Sequence, residues 1–117
     1  MTTTRPSPVP VLLPAARIDT LPWEDLPGSP GVRIKPVCTD DSTRAGLLQL
    51  AAGATEISHM HPEGEHHLWV LSGSLTVEGT HLSAGSYLHI PAGLRHRLVD
   101  EGNGCTLFYV HVGPDPA

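Results

Sequence analysis

Eight histidines in 117 residues, five of them between His59 and His81, are the side chains of this sequence best suited to chemistry. Neutral imidazole is the commonest protein metal ligand, and its pKa near neutrality also lets it carry protons. His59 and His61 form an i, i+2 pair, and on a strand such residues share a face, so both rings would project to one side of a sheet. A third ligand is expected from the next segment, where Glu65, His66 and His67 follow the turn Pro62-Glu63-Gly64. His96 arrives about 30 residues later behind Pro91-Ala92-Gly93, a turn rigid enough to return a remote strand end to the same cavity. The chemistry implied is the binding of one divalent transition metal, with occupancy falling as acid protonates the imidazoles.

The elements that position these residues read as strands. With 12 glycines and 12 prolines scattered through the chain, helices should be few, since both residues penalise helix interiors. Short runs with strand character cover residues 32–38, 46–50, 56–61, 67–71, 74–77, 87–90 and 106–112, separated by turn-like AAGA, PEGE, LSGS, EGT, SAGS, PAGL and DEGNG. This spacing marks an all-β sandwich or barrel. VLSGSLTVEGTHL reads as two tight hairpins in succession. Residues 1–20 are expected to form a proline-rich arm, extended or partly disordered as far as about residue 16. One domain follows over residues 21–113, with a short tail at 114–117.

The formal charge of -5 and the lack of a Lys/Arg cluster argue against nucleic acid as a partner. No apolar run is long enough to span a membrane and no secretory signal stands out, so a soluble, cytoplasmic protein is expected. Cys38 and Cys105, far apart and outside any C-x-x-C pair, are expected to be two buried thiols.

Two stretches resemble the motifs of the cupin superfamily. Residues 53–73, GATEISHMHPEGEHHLWVLSG, are similar to the first motif, G-x5-H-x-H-x3,4-E-x6-G, and residues 85–100, GSYLHIPAGLRHRLVD, to the second, G-x5-P-x-G-x2-H-x3-N. Gly53, His59, His61 and Gly73, then Gly85, Pro91, Gly93 and His96, all fall in place. PGV-x-x-K at 30–35, AGSYL at 84–88 and GCTLFYV at 104–110 resemble in particular the ChrR-like cupins, a group that contains zinc-binding anti-sigma domains and diketone-cleaving dioxygenases.

The resemblance implies a cupin double-stranded β-helix, a jelly-roll β-barrel, holding its metal on His59, His61, His96 and one residue from the 65–66 pair. The family's glutamate position, six residues before the closing glycine, is held here by His66; Glu65 satisfies only the alternative count from His61. Four imidazoles would suit iron, zinc, nickel or copper, whereas Glu65 in place of His66 would favour a harder ion such as manganese. The second motif ends in Asp100 rather than asparagine, at a position that is usually not a ligand.

If His66 points inward, alternation turns Glu65 and His67 outward. His81 is expected at the surface in a turn, Trp69 and Tyr109 in the core or an interface, and Arg95 and Arg97 in solvent. His89 and His111 could face either way. The leading functional expectation is a dioxygenase-type enzyme of the diketone-cleaving kind acting on a small organic molecule. The alternatives are a non-catalytic zinc-binding sensor or ligand-binding cupin, and a metal-dependent isomerase or lyase. A complete anti-sigma factor is not expected, because the residues ahead of the cupin are too few and too proline-rich for a helical sigma-binding domain. A homodimer is expected, with residues 9–13 adding to a neighbour's sheet edge.

Overall fold

The computed structural model describes residues 10–56 and 58–114. A short helix, α1 (Ala15–Thr20), precedes seven strands: β1 (Glu24–Asp25), β2 (Val32–Thr39), β3 (Thr43–Leu50), β4 (Glu65–Val77), β5 (Thr80–Ser83), β6 (Tyr87–Ile90) and β7 (Val99–Val112). They form one antiparallel sheet in the order β1-β2-β3-β7-β4-β5, with β6 on β4. The sheet curls into the all-β jelly roll that the strand spacing and the cupin resemblance imply.

The core follows the period of two. Leu68 and Val70 of β4, Cys105, Leu107 and Tyr109 of β7, and Leu48 and Leu50 of β3 are buried together with Val32, Ile90 and Leu98. Residues between them point outward and leave Trp69, Leu71, Tyr87 and Val112 exposed. α1 buries no side chain; it is tied on by Lys35, whose Nζ donates to the Ile18 carbonyl at 2.9 Å and lies 4.8 Å from the Trp23 ring centre. Among the described residues no helix is long and apolar enough to cross a membrane.

Four expectations are corrected. The end of the stretch expected to be extended, Ala15 and Ala16, instead opens a helix that runs to Thr20, because Pro14 precedes it, where its missing N–H costs nothing, and no proline interrupts the run that follows. The stretch 56–61 is not a regular strand: among its described residues the backbone pairs at points, through the bridge His59↔His96, the bond from Glu56 N–H to the Leu98 carbonyl and the bond from Gly93 N–H to the His61 carbonyl. LSGS is not a hairpin. β4 runs straight through it, taking up register shifts between Val70 and Ser72 and between Gly73 and Leu75, so only the EGT turn makes a hairpin, with β5. Gly73 is required there: at φ 75° it lies so close to β7 that an added Cβ would sit 2.0 Å from the Gly104 carbonyl oxygen. Finally, Cys38 is only half-buried, beside the bulge between Pro36 and Cys38, while Cys105 is buried with its thiol pushed up to about 12 by burial and by Asp100.

DEGNG likewise forms part of β7, as a bulge facing Gly73, and Asp100 holds it. Its Oδ2 accepts N–H bonds from Gly53 at 2.9 Å, Gly102 at 2.8 Å and Gly104 at 3.0 Å. Burial raises the Asp100 pKa, but these three donors outweigh it and hold the carboxyl below its ordinary 3.8. The folded state therefore keeps the carboxylate at pH values where the unfolded chain has begun to take up a proton. The stabilisation is complete above the unfolded value and is lost as pH falls through the lower folded one. Asp100→Ala should lower stability by about 3 kcal/mol at pH 7, since several charge-assisted bonds go together. In urea titrations the gap between wild type and this variant should close below about pH 4; a gap independent of pH would exclude the carboxylate as its source.

Candidate metal centre

The backbone pairing of 55–61 with 93–99 brings the two motifs together. His59 N–H donates to the His96 carbonyl at 3.0 Å, His96 N–H returns a bond at 2.8 Å, and Gly93 N–H donates to the His61 carbonyl at 2.8 Å. His66, the second residue of β4, lies directly across from His111, near the end of β7. Alternation does the rest: His66 shares the inward face with Leu68 and Val70, and His111 with Cys105, Leu107 and Tyr109.

Five imidazoles thus meet at one end of the barrel. One ligand atom from each of His59, His61 and His96 lies within 4.8 Å of the others, and the same holds for His61, His66 and His111. Ring centres are 4.2 Å apart for His59 and His96, and 4.5 Å for His61 and His66. Small rotations would bring these atoms to the roughly 3–4 Å separations that metal–nitrogen bonds of about 2.0–2.1 Å impose. The donor set fits a borderline divalent ion.

His66 and His96 are held neutral. Burial, followed by the neighbouring His61, His111, His96 and His59, pushes His66 down to about 2. Burial also takes His96 down to about 4, against the opposing effect of its bond to the Leu94 carbonyl. That bond, 3.3 Å from Nδ1, fixes the tautomer. A carbonyl only accepts, so His96 Nδ1 carries the proton and Nε2 keeps its lone pair for a metal. His111 is set the opposite way. Arg44 Nη2 stands 3.0 Å from His111 Nδ1, and a guanidinium only donates, so Nδ1 accepts and the neutral ring carries its proton on the buried Nε2. In this tautomer His111 presents an N–H at its buried Nε2.

Glu65 is turned to the outer face, with its side chain 49% exposed. His59, His61 and His96 form one group and His61, His66 and His111 another, sharing His61, and Glu65 belongs to neither. His67 and His89 lie outside with Glu65, and His81 sits on β5 rather than in a turn, bonded to Glu101 at 2.7 Å. Trp69 is on the outer surface, whereas Tyr109 is buried and lines the cavity. Arg97 is exposed, and Arg95, also exposed, bonds the Ser58 carbonyl at 3.2 Å.

Sequence reasoning missed Glu56. It is buried, its Oε1 is 3.9 Å from His59 Nδ1, and burial lifts its carboxyl to about 7 against the opposing pull of His59. Strand parity with His59 and His61 would have turned it away; the irregular backbone of this segment turns it in. Glu56, His59, His61, His66 and His96 border a cavity of about 450 Å³ whose remaining walls include Leu26, Ile34, Leu48, Leu68, Ile90 and Leu98.

Comparison with known proteins agrees with this geometry. The ChrR Cupin-like domain family matches residues 14–114. The tetracenomycin polyketide synthase protein TcmJ of Streptomyces glaucescens is 34% identical over 62 residues, or 50% of this chain and 42% of TcmJ, so the match spans less than half of that relative. Among solved structures, the polyketide cyclase RemF of Streptomyces resistomycificus superposes with a TM-score of 0.74 at 17% identity, over 91% of this chain and 88% of RemF. The anti-sigma factor ChrR, solved in complex with SigE of Rhodobacter sphaeroides, gives 0.68 at 26% identity over 82% of this chain and 50% of that one. KdgF from Halomonas sp. gives 0.69 at 22% identity, covering 81% and 87%.

The two tautomers are open to direct measurement. Long-range proton–nitrogen NMR of the metal-free protein at neutral pH should show His96 protonated on Nδ1 and His111 on Nε2. In Arg44→Leu the His111 preference should relax while His96 is unchanged; His111 found protonated on Nδ1 in the wild type would contradict the assignment.

Proposed function

Because the chain belongs to the ChrR-like cupin family, we propose that it is a metal-dependent enzyme. One divalent transition-metal ion would be held by His59, His61, His66 and His96, and the substrate would be a small 1,3-dicarbonyl compound cleaved with dioxygen. The observation that carries this reading is the placement of His59, His61, His66 and His96, in two groups that share His61, together with the buried Glu56 carboxyl on a largely apolar cavity, with His111 buried beside His61 and His66. The names of two similar proteins support the substrate class, since a polyketide synthase protein and a polyketide cyclase both concern chains built from 1,3-dicarbonyl units.

A bound divalent ion supplies Lewis acidity and, where it is redox-active as iron is, electron exchange with dioxygen. The protein's own groups do the rest. Glu56, with its carboxyl near 7, is poised to take the acidic proton between the two carbonyls, because a base works best when its pKa lies near the working pH. His111, buried beside His61 and His66 and held by Arg44 with its proton on Nε2, adds an N–H dipole next to those rings. The apolar walls exclude water, and their volume suits a compact substrate.

The poised Glu56 also favours a second reading, in which proton transfer alone drives cyclisation or isomerisation without oxygen. A zinc-holding sensor is the non-catalytic alternative, supported by the likeness to ChrR. We also propose a homodimer, in which the arm with its exposed Val11 and Leu12 packs on a neighbouring chain; Val9 lies outside the described residues. Light scattering should then show a mass that falls when residues 1–16 are removed.

Metal analysis and oxygen-electrode assays on untagged protein with pentane-2,4-dione separate these readings. Wild type should carry close to one tightly held metal and consume dioxygen as the dione disappears. His66→Ala should lose both metal and turnover, and Glu65→Ala should retain both. Glu56→Gln should keep its metal while kcat falls about 10²–10⁴-fold. Dione loss without oxygen uptake would replace cleavage by the proton-transfer reading. Tightly bound zinc with no turnover of any 1,3-dicarbonyl would favour the sensor.

A further inference from the structure

On the outer face of the same strand stands a second group of donors that the barrel interior does not use. His67 of β4 and His89 of β6 are direct cross-strand partners. Such pairing places Cβ atoms about 4.5–5.5 Å apart, close enough for two imidazoles to share one ion without any change of backbone. The rings are stacked, with centres 4.8 Å apart and planes at 15°. Glu65 precedes His67 by two residues and so shares its face. Its Oε1 is 2.7 Å from His89 Nε2, and one ligand atom from each of the three lies within 4.8 Å of the others.

We propose that Glu65, His67 and His89 form a second cation site, on the outer face of β4 and β6, that takes a borderline divalent ion such as Zn(II). Two imidazoles and a carboxylate suit such an ion in both donor type and charge. The site also has a support for its ligand. Tyr87 Oη is 2.6 Å from His67 Nδ1; with Nδ1–H donated to that oxygen, Nε2 keeps the lone pair that binds metal. The side chains of His89 and Glu65 are 40% and 49% exposed, so the remaining coordination positions open to solvent. This site is independent of the interior one: its three ligands point away from the barrel, and its occupancy does not require the proposed activity.

Zn(II) titration of metal-stripped, untagged protein by equilibrium dialysis, with metal counted by mass spectrometry, tests the site. Wild type should bind two equivalents. His67→Ala and His89→Ala should each lose one and keep the other, while His96→Ala should retain the outer one. Tyr87→Phe should weaken that outer equivalent about 10–100-fold. If the interior reading fails, wild type binds a single equivalent that is lost in His89→Ala and kept in His96→Ala, and the outer site stands. Zinc stoichiometry that is the same in wild type, His67→Ala and His89→Ala would overturn it.

Discussion

The pairing of β4 with β7 is the constraint on which the rest of the molecule depends. These are the two longest strands, and each borders several others: β7 joins β4 to β3, and β4 carries β6 on its first half and β5 on its second. Both bend at the same level, where Gly73 meets the bulge before Cys105. No side chain fits between them there, because a Cβ on Gly73 would overlap the Gly104 carbonyl. Asp100 fixes the bend from the other side by gathering the N–H groups of Gly53, Gly102 and Gly104 on one carboxylate oxygen. A single register thus closes the barrel and also sets His66 against His111.

That register assigns opposite tasks to neighbouring residues. Within Glu65-His66-His67 the middle side chain enters the barrel and the two beside it leave it, because adjacent strand residues face opposite ways. Inside, His66 and His96 are desolvated and close to other imidazoles, which keeps them neutral and able to bind a cation. Outside, the same residue types remain solvated and pair across β4 and β6. Two clusters of similar composition therefore differ in access and in the charge they can tolerate.

Inside the barrel, hydrogen bonding divides chemically identical rings into different tools. His96 and His111 are both buried imidazoles, yet one bonds a carbonyl and the other a guanidinium at the same ring nitrogen. The first is left with a lone pair at Nε2 and the second with a proton there. The centre thereby combines metal-binding nitrogens with a fixed N–H donor, next to a carboxyl whose burial keeps it near neutrality.

Much of this was legible in the chain itself. Strand spacing and turn residues marked the all-β class, and the glycines, prolines and histidines of two motifs marked His59, His61, His66 and His96 as candidate ligands. These are local signals, carried by spacing and by the backbone freedom of particular residues. The orientation of His111 was not legible, because both faces of its strand are apolar: Cys105, Leu107 and Tyr109 on one, Phe108, Val110 and Val112 on the other. Nor was the passage of β4 through LSGS, since a bulge and a hairpin use the same residues, nor the inward turn of Glu56, which depends on irregular pairing with Leu98. The tautomer of His111 rests on Arg44, 67 residues away in sequence. Sequence spacing by itself determined which donors share a strand face; only the tertiary structure decided which face is the interior and which ring atom carries the proton, because both depend on contacts between residues far apart in the chain.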